Sequence, residues 1–218
     1  MQYHWLNKQN NNKLIIFFAG WSFDYIPFEF LPSGDYDVLM LYDYNTLELP
    51  PIPQYEKYFL ISWSMGVFTA YLLKEELPAF EQKIAINGTP YPVDDDNGIP
   101  LKPFLLTLKH AGQGLEGKFY RNIFDSSKDY ERYTQNPVKR QVQNRIDELN
   151  NLYKLIKNID INYYKFYNTA IISKNDIIIP SKNQINFWTG KVENIKMLEC
   201  GHFPFYNFKN WDEILTCR

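Results

Sequence analysis

With 218 residues the chain is long enough to bury one sizeable core, with room for a small inserted subdomain. Its formal charge of -2 argues against a dedicated nucleic-acid binder. No apolar run reaches ~18 residues and the N-terminus lacks the apolar centre of a signal peptide, so a soluble cytoplasmic protein is expected.

In chain order, the first clear strand is residues 13–19, a continuous apolar run closed by Gly20. Such a run suits a strand buried on both faces of a parallel sheet. Residues 36–44 and 57–62 read the same way. After Ser62 the apolar spacing becomes helical, through Met65, Phe68, Ala70, Leu72 and Leu73, with Pro78 as its stop. Strand character returns at 82–87 and, much later, at 169–173 and 194–198. Strands alternating with helices predict an α/β fold, a mostly parallel sheet with helices on both faces.

Between the strand segments at 82–87 and 169–173 the alternation stops. Val138, Val142, Ile146, Leu149 and Leu152 recur at three and four, an amphipathic helix. Residues 91–157 are therefore read as a helical cap inserted into a core of residues 1–90 and 158–218. Residues 101–157 hold eleven Lys and Arg against six Asp and Glu, an excess of +5 in a chain whose total is -2. Solvated helices often carry such charge; a docking face for an acidic partner is the sharper alternative. Aromatic residues form 17% of the chain, so Tyr and Phe are expected to supply much of the burial.

The chemistry centres on "ISWSMGVF", where a buried strand becomes a helix. A nucleophile elbow needs small residues two before and two after its serine. Around Ser64 these are Ser62, where glycine is usual, and Gly66. The turn would lift the Ser64 hydroxyl off the sheet and aim the Met65 N–H at an oxyanion; otherwise Ser64 is an ordinary helix cap. A serine nucleophile needs a base, and the base needs an orienting carboxylate, in the chain order Ser, acid, His for a sheet of this type. Asp176 follows the strand at 169–173, and His202 follows the last strand behind Gly201. Both fall at the C-terminal ends of strands, where open α/β sheets build their sites. His4 and His110 have no evident path to Ser64. One of Asp94, Asp95 and Asp96 remains the alternative acid. As metal ligands those three lack an accompanying His and are too close in sequence to converge. Cys200 stands on no elbow, and Cys200 and Cys217 make neither a disulfide framework nor a zinc site. The loop "FFAGWSFD" offers the second oxyanion donor, the Trp21 N–H, with Gly20 allowing close approach.

Together "FFAGWSFD", "ISWSMGVF", "INGTPYPVDDDNGIP" and "ECGHFPF" resemble the BioG-type pimeloyl-[acyl-carrier-protein] methyl ester esterases of biotin synthesis, in the α/β-hydrolase superfamily. The resemblance runs from the first core strand to the C-terminus, and the Asn-Gly-Thr-Pro block is its most specific part. It implies Ser64 as nucleophile, His202 as base and a carrier-linked pimeloyl methyl ester as substrate, with no metal or organic cofactor. Carrier proteins are strongly acidic, so Lys118, Arg121, Arg132, Arg140 and Arg145 become candidate carrier contacts. Trp63, Phe119 and Phe124 become candidate walls of an acyl channel. A monomer is expected. An acyl thioesterase or general short-chain carboxylesterase, and a non-catalytic binding module, are the alternatives in the same fold.

Overall fold

The computed structural model describes residues 1–217. Seven strands form one sheet: β1 (Gln2–Asn7), β2 (Lys13–Phe18), β3 (Asp37–Tyr42), β4 (Lys57–Trp63), β5 (Gln82–Ile86), β6 (Thr169–Ser173) and β7 (Asn194–Leu198). Their spatial order is β1-β3-β2-β4-β5-β6-β7. Strand β1 runs antiparallel to β3, and every other pairing is parallel. Because β2, β3 and β4 lie inside the sheet, both faces of each need apolar cover, and their sequences are unbroken apolar runs for that reason. All six residues of β3 are buried.

Strand β1 has no such run. It is an edge strand, partly exposed along its length, and its short polar–apolar alternation over Gln2 to Trp5 is a weaker signal than an unbroken apolar run. His4 lies within β1, ahead of the first core strand, and stacks on Tyr25 with ring centroids 3.6 Å apart.

Helix α1 (Met65–Leu72) follows β4 directly. It ends well before Pro78, its last residues unwinding through tight turns in which Lys74 bonds to Tyr71 and Glu76 to Leu73. Four helices fall between β5 and β6: α2 (Leu101–Gly114), α3 (Tyr120–Ile123), α4 (Ser127–Gln135) and α5 (Val142–Asn158). A π-helical turn (Leu115–Phe119) joins α2 to α3. The expected amphipathic helix thus begins at Val142. Val138 is buried but lies in an irregular stretch held by the Lys139 N–H donating to Asp24 Oδ2 at 2.7 Å. Pro137 immediately before it lacks an N–H and resists the helix interior. Helices α6 (Ser181–Trp188) and α7 (Trp211–Thr216) complete the chain.

Aromatic rings dominate the core. Phe23, Phe28, Trp63, Phe203 and Phe205 meet mostly edge to face or tilted, with centroids 4.8–6.0 Å apart, the arrangement the ring quadrupole favours. Among the described residues no helix is long and apolar enough to cross a membrane.

Candidate active site

Ser64 occupies the single residue between β4 and α1, with φ 57° and ψ -125°. A non-glycine residue there is strained, and such strain persists only where its surroundings enforce it. The enforcement is visible. The Ser64 N–H donates to Ile86 O at 2.9 Å, and its carbonyl accepts from the Val67 N–H at 3.0 Å. Gly66 sits so close to β2 that a Cβ would lie 2.3 Å from Phe18 O and 2.5 Å from Ala19 O. Ser62, two residues before Ser64, is fully buried in register with Phe18 and Ala85. The first position of the elbow therefore takes a small side chain other than glycine.

His202 reaches Ser64 from the loop after β7. Its Nε2 lies 2.9 Å from Ser64 Oγ, and its Nδ1 lies 2.8 Å from Asp176 Oδ2. Asp176, on the loop after β6, is itself fixed. Its Oδ1 accepts the N–H groups of Ile178 and Ile179, both at 2.9 Å, and its Oδ2 accepts Gln184 Nε2 at 2.9 Å. A carboxylate among donors can only accept, so the imidazole proton belongs on Nδ1, leaving Nε2 free to take the Ser64 proton. All three side chains are buried. The His202 carbonyl is pinned by Trp63 Nε1 at 2.8 Å and Asn87 Nδ2 at 3.0 Å. Gly201 lets the loop pass α3, since a Cβ there would stand 2.7 Å from the Asp125 N atom.

The carboxylate at His202 Nδ1 is that of Asp176, and two of the alternatives are engaged elsewhere. Asp94 Oδ1 accepts the Asp96 and Asn97 N–H groups, and Asp95 Oδ1 accepts the Leu101 N–H at the start of α2. Cys200 is buried with its sulfur 3.2 Å from Ser173 Oγ, and burial pushes its thiol up to about 11, away from nucleophilic thiolate.

A cavity of about 450 Å³ opens above Ser64. The sheet side contributes Gly20, Trp21, Trp63, Met65 and His202, and the inserted helices contribute Phe104, Leu115, Phe119 and Ile123. Met65, as the first residue of α1, has no carbonyl one turn behind it inside the helix, so its N–H is open to an outside acceptor. Trp21 and Met65 both stand beside Ser64 on the cavity wall. His110, for which the sequence suggested no path to Ser64, also lines the cavity, but the imidazole bonded to the serine is that of His202.

Several expectations are corrected. Phe124 does not line the cavity; it packs among Tyr133, Phe203 and Tyr206. Arg140 is not a surface contact, because its guanidinium is buried between Asp43 at 3.0 Å and Glu148 at 2.9 Å. Arg145 is likewise buried and donates to Tyr120 Oη at 2.7 Å. Lys118 is exposed at the cavity rim. Arg132 is exposed and lies over the rings of Phe30 and Tyr206, while Arg121 is half-buried, donating to Phe124 O at 3.1 Å. Gln184, Asn87 and Glu148 carry no sequence signal: buried polar residues are recognised by their partners, which the fold alone supplies.

The strand order, the elbow and the serine–histidine–aspartate chain define an α/β-hydrolase fold. The family model described as pimeloyl-ACP methyl esterase BioG matches residues 1–214, and the chain belongs to that family. The crystal structure of BioG from Haemophilus influenzae is similar across 97% of this chain and 98% of its own, with a TM-score of 0.90 and 28% identity. A malonyl-[acyl-carrier protein] O-methyltransferase of Bacteroides fragilis is 31% identical over 192 residues, 87% of this chain and 39% of that protein, so the chain spans well under half of that relative. A lipase-esterase related protein from Clostridium acetobutylicum shares the fold, with a TM-score of 0.63 at 17% identity over 100% of this chain and 99% of its own. Family and fold together make this a hydrolase of the esterase class.

Proposed function

We propose that the chain is a serine carboxylesterase that hydrolyses the terminal methyl ester of a pimeloyl group carried on acyl-carrier protein. The observation that carries this reading is the hydrogen-bonded run from Ser64 Oγ through His202 to Asp176 at the floor of an apolar cavity. Ser64 Oγ attacks the ester carbonyl carbon while His202 Nε2 takes its proton. The carbonyl oxygen becomes an oxyanion facing the N–H groups of Trp21 and Met65. As the C–O bond to methoxide breaks, His202 returns the proton and methanol leaves. Water then attacks the acyl-serine by the same route and frees the carboxylate.

Two observations favour a carrier-linked methyl ester over a free one. The family's description names it, and the B. fragilis relative's name describes a methyl transfer onto a carrier-bound malonyl group, which yields a carrier-bound methyl ester. The methyl ester end reaches Ser64, and the carrier end leaves past the cavity rim, where Lys118 is exposed. Lys118, Arg121 and Arg132 are the proposed contacts to the acidic carrier.

Incubating the purified protein with methyl-pimeloyl-acyl-carrier protein should yield the free carboxylate and methanol with the thioester intact. Ser64→Ala should abolish both that reaction and labelling by a fluorophosphonate. Release of the acyl chain from the carrier would make it a thioesterase, and equal efficiency on free methyl pimelate would make it a general carboxylesterase. Failure of the probe to label the wild-type serine would leave a binding module.

A further inference from the structure

The inserted helices wall the cavity, yet their most deeply buried charges face the loop after β2. Glu148, on α5, is fully buried. Its Oε2 accepts the Ser22 N–H at 3.2 Å and Arg140 Nη1 at 2.9 Å, and its Oε1 accepts the Tyr44 N–H at 2.9 Å. Tyr44 in turn donates its hydroxyl to Ala19 O at 2.7 Å. Arg140 also donates to Phe23 O at 3.2 Å, and the Trp21 indole N–H donates to Arg145 O at 2.8 Å.

These bonds converge on one peptide. The Trp21 N–H belongs to the unit joining Gly20 to Trp21. The unit before it is pinned through Ala19 O, and the unit after it through the Ser22 N–H. Both pins trace back to the Glu148 carboxylate, one directly and one through Tyr44. Ser22 holds a left-handed φ of 76°, a conformation that costs energy for a non-glycine residue and must be imposed from outside. A buried carboxylate–guanidinium pair is weak support for a fold, since apolar packing of similar volume often does as well or better. What it does here that an apolar side chain cannot is accept two backbone N–H groups from two separate loops.

We infer that Glu148, with Arg140 orienting its carboxylate, is a positioning residue that fixes the Trp21 N–H where the oxyanion forms. The inserted helices then act on the chemical step as well as on the acyl chain. This rests on the reading of Ser64 as nucleophile.

The test compares wild type, Glu148→Gln and Tyr44→Phe, each with p-nitrophenyl butyrate, an alkyl trifluoromethyl ketone and the matching alcohol. The ketone adds to Ser64 Oγ and needs the oxyanion site; the alcohol fills only the cavity. A glutamine has one acceptor oxygen and can hold only one of the two N–H groups. The Glu148→Gln variant should lose about 10- to 100-fold in kcat, the scale of a small donor misplacement, with KM within about twofold. Ketone affinity should fall in step with kcat/KM, and alcohol affinity should stay put. Tyr44→Phe, which removes the hydroxyl that pins Ala19 O and keeps the ring, should show a smaller loss of the same pattern and serves if Glu148→Gln does not fold. The inference is overturned if kcat and ketone affinity stay within about twofold of wild type. It is equally overturned if ketone and alcohol affinities fall together with the melting temperature, as general loosening would give. A wild type that neither hydrolyses the ester nor binds the ketone would refute the Ser64 reading instead.

Discussion

Replacing Asp176 by asparagine isolates the charge of the carboxylate from its shape. Oδ1 faces two backbone N–H groups, from Ile178 and Ile179. The amide oxygen of an asparagine must take that position, because its NH2 there would meet two donors. The NH2 is thereby aimed at His202 Nδ1 and Gln184 Nε2, the partners of Oδ2. Donation to Nδ1 forces the imidazole proton onto Nε2, the atom that should receive the Ser64 proton. Holding the wrong tautomer costs ~10⁴ in kcat, equivalent to ~5 kcal/mol of barrier. The stability cost is separate and smaller. Gln184 Nε2 also donates to Ile179 O at 2.8 Å, so one donor–donor contact is left, worth ~1–3 kcal/mol. Ester hydrolysis read as kcat and KM, beside a thermal melt, separates the two. A folded variant whose kcat stays within about tenfold of wild type would show that the Asp176 carboxylate does not set the tautomer, and the acid would have to be sought elsewhere.

Gly66→Ala should abolish activity and lower stability by ~1–3 kcal/mol or more, because the new methyl would meet the backbone oxygens of Phe18 and Ala19; urea denaturation and fluorophosphonate labelling measure both effects. Asp37 contributes to acid stability. Burial raises its carboxyl pKa, but donation from Tyr55 Oη, the Gln9 and Asn11 N–H groups and Asn11 Nδ2 outweighs it and leaves the pKa below the ordinary carboxylate value. A depressed folded pKa stabilises the protein above the unfolded pKa, and that stabilisation is lost as the pH falls through the folded one. Asp37→Asn should therefore lower the urea midpoint at pH 7, with the gap to wild type closing at the acid end of a pH series.

The central strands were legible because burial on both faces demands unbroken apolar runs, a demand written in one dimension. Strand β1 was not, since an edge strand needs only one partner and little cover. The elbow was legible through Gly66, whose lack of a side chain is a local requirement, and through the order of Ser64, Asp176 and His202, which the chain path preserves. Arg140 and Arg145 show where sequence misled. A charge count cannot tell a solvated cation from a buried one, because burial depends on carboxylates and backbone groups far away in the chain, such as Asp43 and Phe23. The sequence by itself determined the six parallel strands, the strained serine and the three residue types of the site. Only the tertiary structure decided that His202 Nε2 stands 2.9 Å from Ser64 Oγ, that Asp176 is the carboxylate at its other nitrogen, and that Glu148 turns inward to grip the loop of Trp21. Distances of that kind arise when segments far apart in the chain are packed against one another, and no local pattern encodes them.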